Sequence, residues 1–424
     1  MEKRVYNQYL QILHEELVPA MGCTEPIAIA YAAALARQAL GCMPERVDVK
    51  ASANIIKNVK SVVVPHTGEQ RGIAAAAAAG IVAGRADDEL QVLSSVTEAE
   101  IKEIASFLNG TAISVEPSDA PYIFDIQVRV YGGKETAFCQ IAGHHTNVVC
   151  LSKNDTVLCE NSYQEQVAAD QADRGILNIA DIVEFADTVQ ISDVEAVIER
   201  QIDCNTAIAK EGLLGQWGAN IGRVLLQAYG DNVHTRAKAM AAAGSDARMS
   251  GCEMPVVINS GSGNQGLTAS LPVIVYAEHL GATKEQLCRA LVLSNLVTIH
   301  LKTGIGTLSA YCGATSAGCG AGAGVCYLHG GKNEEVSHTV VNALAINSGM
   351  ICDGAKASCA AKIASAVEAG LLGWQMQARG SEFFGGDGIV TKGVENTIRN
   401  VGRVAKNGMV DTDREIIEIM ISSC

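Results

Sequence analysis

The sequence predicts an α+β protein in which a predominantly helical domain carries a smaller mixed α+β lobe. Runs that alternate like β-strands cluster between residues 112 and 158, and long stretches with helical patterns follow them. Apolar residues make up 48% of the chain but aromatics only 4%, a composition that favours closely approaching helices over an aromatic-rich sandwich. We therefore expect three parts: residues 1–89, with N-terminal helices and strands that pack on the main domain; residues 90–160, the α+β lobe; and residues 161–424, the mainly helical domain.

The N-terminal part begins with an amphipathic helix at residues 4–19, and Cys23 heads a second helix with Pro26 in its first turn. A thiol at a helix N-terminus has a lowered pKa, because the helix dipole and free backbone N–H groups stabilise the thiolate. Cys23 is therefore a candidate base. A small buried capping residue is the alternative interpretation of the same position.

Two strands are expected at residues 47–53 and 61–68, followed by a helix at 71–84 that contains six consecutive alanines. Lys57 and Asn58 lie between the strands, in a position typical of solvated loop residues. His66 follows a proline and precedes Thr-Gly, which suits a loop over a cleft.

The lobe is predicted to contain a helix at residues 98–108 and strands at 112–115, 122–131 and 135–142, followed by a hairpin at 148–151 and 156–158. The segment Gly143-His-His-Thr-Asn147 interrupts this pattern at a strand edge and carries His145.

Several helices are expected from residue 160 to 245, and a short strand at 254–258 delivers the loop Ser260-Gly-Ser-Gly-Asn-Gln-Gly266. Its glycines match G-x-G-x-x-G, but the helix at 267–279 is followed by another helix that begins with a capping box at Thr283, so no second parallel strand completes a dinucleotide-binding unit. We therefore expect no NAD. Serines, amides and backbone N–H groups at a helix N-terminus still form a good anion cradle.

Five of the fourteen cysteines fall between residues 309 and 360, set largely among glycine, alanine and serine: Cys312, Cys319, Cys326, Cys352 and Cys359. No C-x-x-C pair is present among them, which counts against zinc ribbons and compact ferredoxin sites. An iron–sulfur cluster on dispersed ligands, a zinc site and simple packing all remain open on spacing alone. A helix from about residue 355 carries Cys359, and we expect Cys352 in the loop before it, because one helix would separate the two by about 10 Å. Helices at 333–346 and 413–421 complete the pattern.

The formal net charge of −14 argues against nucleic acid or an anionic membrane as a partner, because either would require a basic face. The N-terminus lacks the apolar core of a signal peptide, and no segment offers the roughly 18 consecutive apolar residues of a membrane span. We expect a cytoplasmic protein whose cysteines stay reduced or bind metal.

Three motifs together resemble the L-cysteine desulfidases and the related iron–sulfur L-serine dehydratase alpha-chain-like proteins. They are Met21-Gly-Cys-Thr-Glu-Pro26, the Ser260–Gly266 loop, and the spacing of Cys312, Cys352 and Cys359. The resemblance implies a [4Fe-4S] cluster held by these three cysteines, with Cys424 as a candidate fourth ligand. Cys319 and Cys326 fall outside the pattern, and we expect them to lie in a glycine-rich connecting segment.

The resemblance also implies roles in a small-molecule site. Cys23 is the base that abstracts a proton, and the loop holds the carboxylate of an L-amino acid. Lys57, Asn58, His66 and His145 are further candidates for substrate binding, each with an ordinary loop residue as the alternative. The implied substrate-binding set is Ser260, Gly261, Ser262, Gly263, Asn264, Gln265, Lys57, Asn58, His66 and His145.

The function that follows from the resemblance is β-elimination of L-cysteine to pyruvate, ammonia and sulfide, without pyridoxal phosphate. L-Serine dehydration is the close alternative. A non-catalytic iron–sulfur redox or sensor protein would use the same thiolates without needing Cys23 or the Ser260–Gly266 loop. A homodimer is the oligomer we consider.

Overall fold

Helices dominate the computed structural model, which describes residues 1–22, 24–161, 172–306 and 309–422. The helices are α1 Lys3–Glu16, α2 Thr24–Leu40, α3 Ala53–Val59, α4 Gly72–Ala83, α5 Glu98–Gly110, α6 Ile179–Thr188, α7 Ile191–Leu214, α8 Ile221–Tyr229, α9 Val233–Met249, α10 Gly263–Leu280, α11 Lys284–Ile305, α12 Gly313–Leu328, α13 Asn333–Ile346, α14 Cys359–Gln377, α15 Val394–Arg403 and α16 Val410–Ser422. The strands are β1 Pro19–Met21, β2 Arg46–Ala51, β3 Ala112–Pro117, β4 Asp125–Gly132, β5 Glu135–Ala142, β6 Val148–Lys153, β7 Thr156–Glu160 and β8 Pro255–Val257.

Six strands form one mixed sheet in the order β3-β2-β4-β5-β6-β7, in which β2 pairs parallel with β3 and every other pair is antiparallel. Alternate residues of β4 and β5 are buried, as expected for a sheet with one face against helices. Helices α2 and α4 cover this face and share its hydrophobic core. The short strands β1 and β8 form a separate antiparallel pair.

A second and larger core lies among the helices of the C-terminal half, and α1 also packs there. Helix α12 is surrounded by α10, α11, α13 and α14. Four of its glycines fall on two faces at i, i+4 spacing, with Gly318 and Gly322 against α14, Gly320 against α11 and Gly324 between α10 and α11. Small residues on both faces let α12 approach its neighbours at backbone contact distance.

The predicted fold class is confirmed, since the chain is predominantly helical with a smaller mixed sheet. The predicted three-part domain division stays a prediction. One core joins α2 and α4 to the strands of the lobe, so the predicted boundary at residue 89 falls inside that core.

Three local predictions are wrong. Residues 61–68 do not form a strand and contribute only the bridge between Val63 and Arg71, because the chain turns through positive φ at His66, Gly68 and Glu69. Lys57 and Asn58 lie in helix α3 instead of a loop. Cys319 and Cys326 lie inside the buried helix α12 instead of a glycine-rich connection.

Among the described residues, no helix combines the length and the apolarity that a membrane span requires.

Candidate active site

A cavity of about 170 Å³ lies where the two cores meet. The sheet side contributes Glu25, Lys57, Asn58, Phe124 and His145. The helical side contributes Arg248, Ser260, Gly261, Ser262, Asn264, Gln265, Lys302, Ser309, Tyr311, Cys312, Gly313, Ala314, Cys352, Gly354, Ala355, Cys359, Lys362 and Ile363. Residues far apart in the sequence therefore share one polar cavity.

Backbone pairing brings two of the predicted thiol ligands together. Tyr311 and Ile351 form an antiparallel bridge. On either side of it, the N–H of Cys312 donates to the carbonyl of Met350 at 3.0 Å, and the N–H of Cys352 donates to Ala310 at 2.6 Å. Cys312 and Cys352 thus flank the same bridge, one on each side of it, although forty residues separate them in the sequence.

The third thiol, Cys359, is the first residue of α14, and Cys312 is the N-cap of α12. Cys352 lies in the loop that precedes α14, as predicted from the sequence. At the helix N-termini that Cys312 and Cys359 occupy, unpaired N–H groups and the positive end of the helix dipole favour a thiolate. The loop itself packs on α3, because a Cβ at Gly354 would lie 2.0 Å from the carbonyl oxygen of Lys57.

The three thiols differ in how readily they ionise. The Cys312 thiol donates to Cys352, so the pKa of Cys352 is lowered and that of Cys312 is raised. The ammonium groups of Lys57 and Lys302 also favour the Cys352 thiolate. Burial raises the pKa of Cys359. Of the three thiols, Cys352 therefore ionises most readily.

Lysines surround the thiols. Lys57 is buried and pairs with Asp413 of α16 at 2.5 Å. Burial lowers the pKa of Lys302 to about 8, and its Nζ donates to the carbonyl of Gly306. Lys362 pairs with Asp353 and donates to the carbonyl of Ile351 at 2.9 Å. Positive charge at three points of the cavity wall suits anionic sulfur ligands and an anionic substrate group.

The loop before α10 turns sharply through two residues with positive φ, Ser260 and Gly261. Asn259 and Ser262 close this turn with reciprocal backbone hydrogen bonds of 3.1 and 3.0 Å. The side chain of Gln265 lies against the start of α12, since a Cβ at Gly313 would come within 2.8 Å of it. The loop and the Cys312 helix are therefore in direct contact.

The sheet side presents an amide, a carboxylate and an imidazole. Asn58 donates to Glu25 at 3.2 Å. The His145 ring packs edge-on against Phe124, with centroids 4.8 Å apart, and its Nε2 is buried without a hydrogen-bond partner. Burial lowers the pKa of His145 and so favours the neutral ring.

The structure brings most of the sequence-predicted site residues to this cavity. Gly263 stands beside it, where a Cβ would lie 2.3 Å from Nε of Arg248. His66 lines a different cavity, with Glu69, Glu211 and Glu253, and its Nδ1 lies 3.0 Å from Glu253. Cys23 and Cys424 lie outside the described residues.

Sequence reasoning gave no role in the site to Glu25, Arg248, Lys302, Tyr311 or Lys362, all of which line the cavity. Lys302 lies in the last turn of a long apolar helix. A lysine within such an apolar stretch can be detected in the sequence, because lysine is rarely buried without a role. Glu25 belongs to the Met21–Pro26 motif and could have been chosen with Cys23. Arg248 stands in an alanine-rich helix with no local sign of its neighbours in space.

The thiol set fits an iron–sulfur cluster better than a single metal ion. Among the described residues, no three His, Cys, Asp or Glu side chains come close enough together to chelate one ion. A cluster binds each thiolate through a different iron, so it accepts thiols spread around a cavity. Cys312, Cys352 and Cys359 meet that requirement, and the surrounding lysines would balance the negative charge.

The fold and the thiol-lined cavity define a class, the iron–sulfur serine dehydratase-like proteins. Residues 87–418 match the family model described as serine dehydratase alpha chain. The chain therefore belongs to the serine dehydratase alpha-chain family, which supports a lyase-type function.

Full-length relatives carry a less specific name. A UPF0597 protein of Desulfitobacterium hafniense is 56% identical over 423 residues, covering 100% of this chain and 98% of the relative. UPF0597 proteins of Lachnoclostridium phytofermentans and Treponema denticola are 48% and 44% identical, each over 99% of this chain and 100% and 99% of the relative. The similarity thus extends over the N-terminal residues that the family model does not match.

Proposed function

We propose that this protein is an iron–sulfur-dependent lyase that converts L-cysteine to pyruvate, ammonia and hydrogen sulfide. The observation that carries the proposal is that three thiols from distant segments line the same cavity as the Ser260–Gln265 loop. Cys312, Cys352 and Cys359 would hold a [4Fe-4S] cluster. When bound, the cluster would supply a Lewis acid for the leaving sulfur or oxygen atom.

The reaction requires one proton to be removed and one bond to be broken. The α-proton passes to a base, the Cβ–S bond breaks, and its electron pair leaves on sulfur as HS⁻. The aminoacrylate product takes up a proton at Cβ and loses one from nitrogen to give an imine, which water hydrolyses to pyruvate and ammonia. No oxidant or reductant is consumed.

Side chains of the cavity would bind and orient the amino acid. The Ser260–Gln265 loop stands at the N-terminus of α10, where backbone N–H groups and the helix dipole favour a carboxylate. Glu25 faces the cavity from the opposite side and is suited to hold the substrate ammonium group. Asn58 fixes the orientation of Glu25 through its hydrogen bond. Such two-point binding positions the α-carbon for proton removal.

Cys23 is the proposed base. The assignment is supported by the Met21–Pro26 motif, which Cys23 shares with the family that the chain resembles. A thiolate at the head of a helix can accept a proton at neutral pH. Burial lowers the pKa of His145, and its unpartnered Nε2 is suited to form a hydrogen bond with the substrate.

L-Serine dehydration is the second candidate, and the family match favours it. Sulfide is already an acceptable leaving group, whereas hydroxide depends more on a Lewis acid. Turnover of L-cysteine and L-serine by one preparation therefore decides between the two substrates. A cluster-bearing sensor would show the cluster spectrum with neither product.

The test is anaerobic purification followed by iron and acid-labile sulfide analysis, visible absorption, and assays of sulfide and pyruvate. We expect a brown protein that releases sulfide from L-cysteine. Cys352→Ala should lose the cluster absorption and at least about 100-fold of the activity, because it removes one of three ligands. The matched control is Cys319→Ala, which alters a buried cysteine inside α12 and should retain both. Equal iron content in the two variants would contradict the ligand assignment.

The base assignment has its own test. Cys23→Ala should retain the absorption of the cluster and lose sulfide release, because proton removal and cluster binding use different thiols. Solvent deuterium exchange at the α-carbon of L-alanine, which has no leaving group, should be lost in the same variant. Sulfide release at the wild-type rate would remove Cys23 from the mechanism.

A further inference from the structure

Arg248 is a buried cation at the active cavity whose guanidinium is only partly bonded. It stands in the last turn of α9, 5% exposed, and it lines the cavity. One Nη donates to Oδ1 of Asn264 at 3.2 Å, whereas Nε is buried without a hydrogen-bond partner. Among the described residues, no carboxylate forms an ion pair with Arg248.

A guanidinium in this state is costly to the folded protein. Arginine is almost never fully buried unless it is paired, because removal of its charge from water must be compensated. The C-terminal end of α9 supplies some compensation through the helix dipole. A dipole does not bond Nε, however, so the guanidinium that lines the cavity keeps an N–H group without a partner.

The surroundings of the Arg248 guanidinium suit a carboxylate. The guanidinium of Arg248 packs against Gly263, because a Cβ at residue 263 would lie 2.3 Å from Nε of Arg248. The guanidinium therefore lies directly over the first residue of α10, at the positive end of that helix. Arginine binds carboxylates through two parallel N–H···O bonds, which fix both position and plane.

We propose that Arg248 binds the α-carboxylate of the substrate and so restricts this site to amino acids with a free carboxylate. The inference rests on the proposed function for the identity of the substrate, and it adds a charged group from α9 to the loop. Amides, esters and decarboxylated amines of the same amino acid would leave the guanidinium without a partner. They should be rejected for that reason.

The test measures equilibrium binding, so it does not depend on turnover. L-Alanine carries the carboxylate and has no leaving group, and L-alaninamide lacks the carboxylate charge. Anaerobically purified wild-type protein should bind L-alanine at least about 10-fold more tightly than L-alaninamide by calorimetry. Arg248→Met should abolish this preference, with a roughly 10- to 100-fold loss of affinity for L-alanine, the usual range for a hydrogen-bonded charged contact.

Two further variants separate binding from folding. Arg248→Lys retains the charge but not the planar fork, and we expect an intermediate affinity. Arg289→Met is the matched control, because Arg289 is also largely buried but donates to the carbonyls of Ala186 and Val189. It should lower the unfolding midpoint and retain the preference for L-alanine, whereas Arg248→Met should melt no lower than wild type.

The outcomes are distinct for the two proposals. Wild-type protein that binds both ligands equally, or Arg248→Met and Arg248→Lys variants that keep the wild-type preference, would overturn the role of Arg248. A clear preference for L-alanine without any sulfide or pyruvate formation would leave Arg248 as a carboxylate ligand and remove the lyase proposal.

Discussion

Two buried charged residues close together on α9 show how differently burial acts on single side chains. Arg248 faces the active cavity, whereas Asp246 is fully buried and accepts a backbone hydrogen bond of 2.6 Å from Ile221 at the start of α8. Burial raises the pKa of Asp246 to about 6, although backbone N–H groups of Ile221, Gly222 and Ala219 oppose the shift. Asp246 therefore has a structural role that is separate from the cavity.

The raised pKa of Asp246 predicts a pH dependence of stability. Between about pH 6 and pH 4 the folded protein binds a proton at Asp246 that the unfolded chain does not, so the contribution of this group to stability increases as pH falls. Asp246→Asn should remove that component, and the free energy of unfolding should then fall more steeply on acidification than in wild type. Urea unfolding at several pH values measures the difference.

Asp231→Asn is the control for this effect. The side-chain hydrogen bond from Arg236 lowers the pKa of Asp231, and the pair is about half exposed, so its contribution should be small and of opposite sign. Identical pH profiles for wild type and Asp246→Asn would show that the Asp246 carboxyl is not perturbed.

The contact between helices α12 and α14 depends on glycine at both surfaces. A Cβ at Gly370 would lie 2.0 Å from the carbonyl oxygen of Gly318, and one at Gly318 would lie 2.2 Å from that of Ala366. Cys312 precedes α12 and Cys359 begins α14, so the spacing of these two helices also sets the separation of two thiols. Close packing and site geometry are therefore coupled.

Gly370→Ala should destabilise the protein even though alanine is the better helix former. The gain in helix propensity is about 1 kcal/mol, whereas forcing a methyl group into a backbone contact costs about 1–3 kcal/mol or more. We expect a lower unfolding midpoint in urea and a lower iron content per chain. Gly110→Ala, at the open end of α5 where a Cβ meets no atom within 4 Å, should be neutral or slightly stabilising. Similar midpoints for both variants would contradict a tight α12–α14 contact.

The C-terminal helix contacts the cavity wall from the other half of the molecule. Lys57 of α3, in the segment that joins the sheet to α4, pairs with Asp413 of α16, and Lys60 donates to the carbonyl of Met420. Lys57 also faces the thiol-lined cavity, so this ion pair connects the end of the chain to the site. The two halves of the molecule are thus joined by charge as well as by apolar packing.

Asp413→Asn should weaken this connection strongly. The change leaves the buried ammonium of Lys57 without its carboxylate, and breaking a buried pair in this way costs about 3–5 kcal/mol. The free energy of unfolding measured in urea should fall by about that amount. Glu116→Gln, which removes the carboxylate of the exposed Lys50–Glu116 pair, should cost about 1 kcal/mol or less. Equal costs would show that the Lys57–Asp413 pair is screened by solvent.

The fold class, most of the helices and strands, and the cysteines and loop that meet at the cavity could be predicted from the sequence alone. Helical and strand periodicities are local, and the Ser260–Gly266 loop and the capping box at Thr283 act within a few residues, so they can be recognised without the fold. The placement of Cys352 before α14 also followed from local geometry. The family resemblance supplied the choice of three cysteines among five.

The charged side chains that surround those thiols could not be predicted without the fold. Arg248, Lys302 and Glu25 reach the cavity from separate helices, and no local pattern records a contact between residues far apart in the chain. The fold also places His66 at another cavity. Lys57 lies in a helix and forms an ion pair with Asp413, which is more than three hundred residues away in the sequence. Packing of the two cores fixes these contacts, because a buried charge is stable only where the fold brings it a partner.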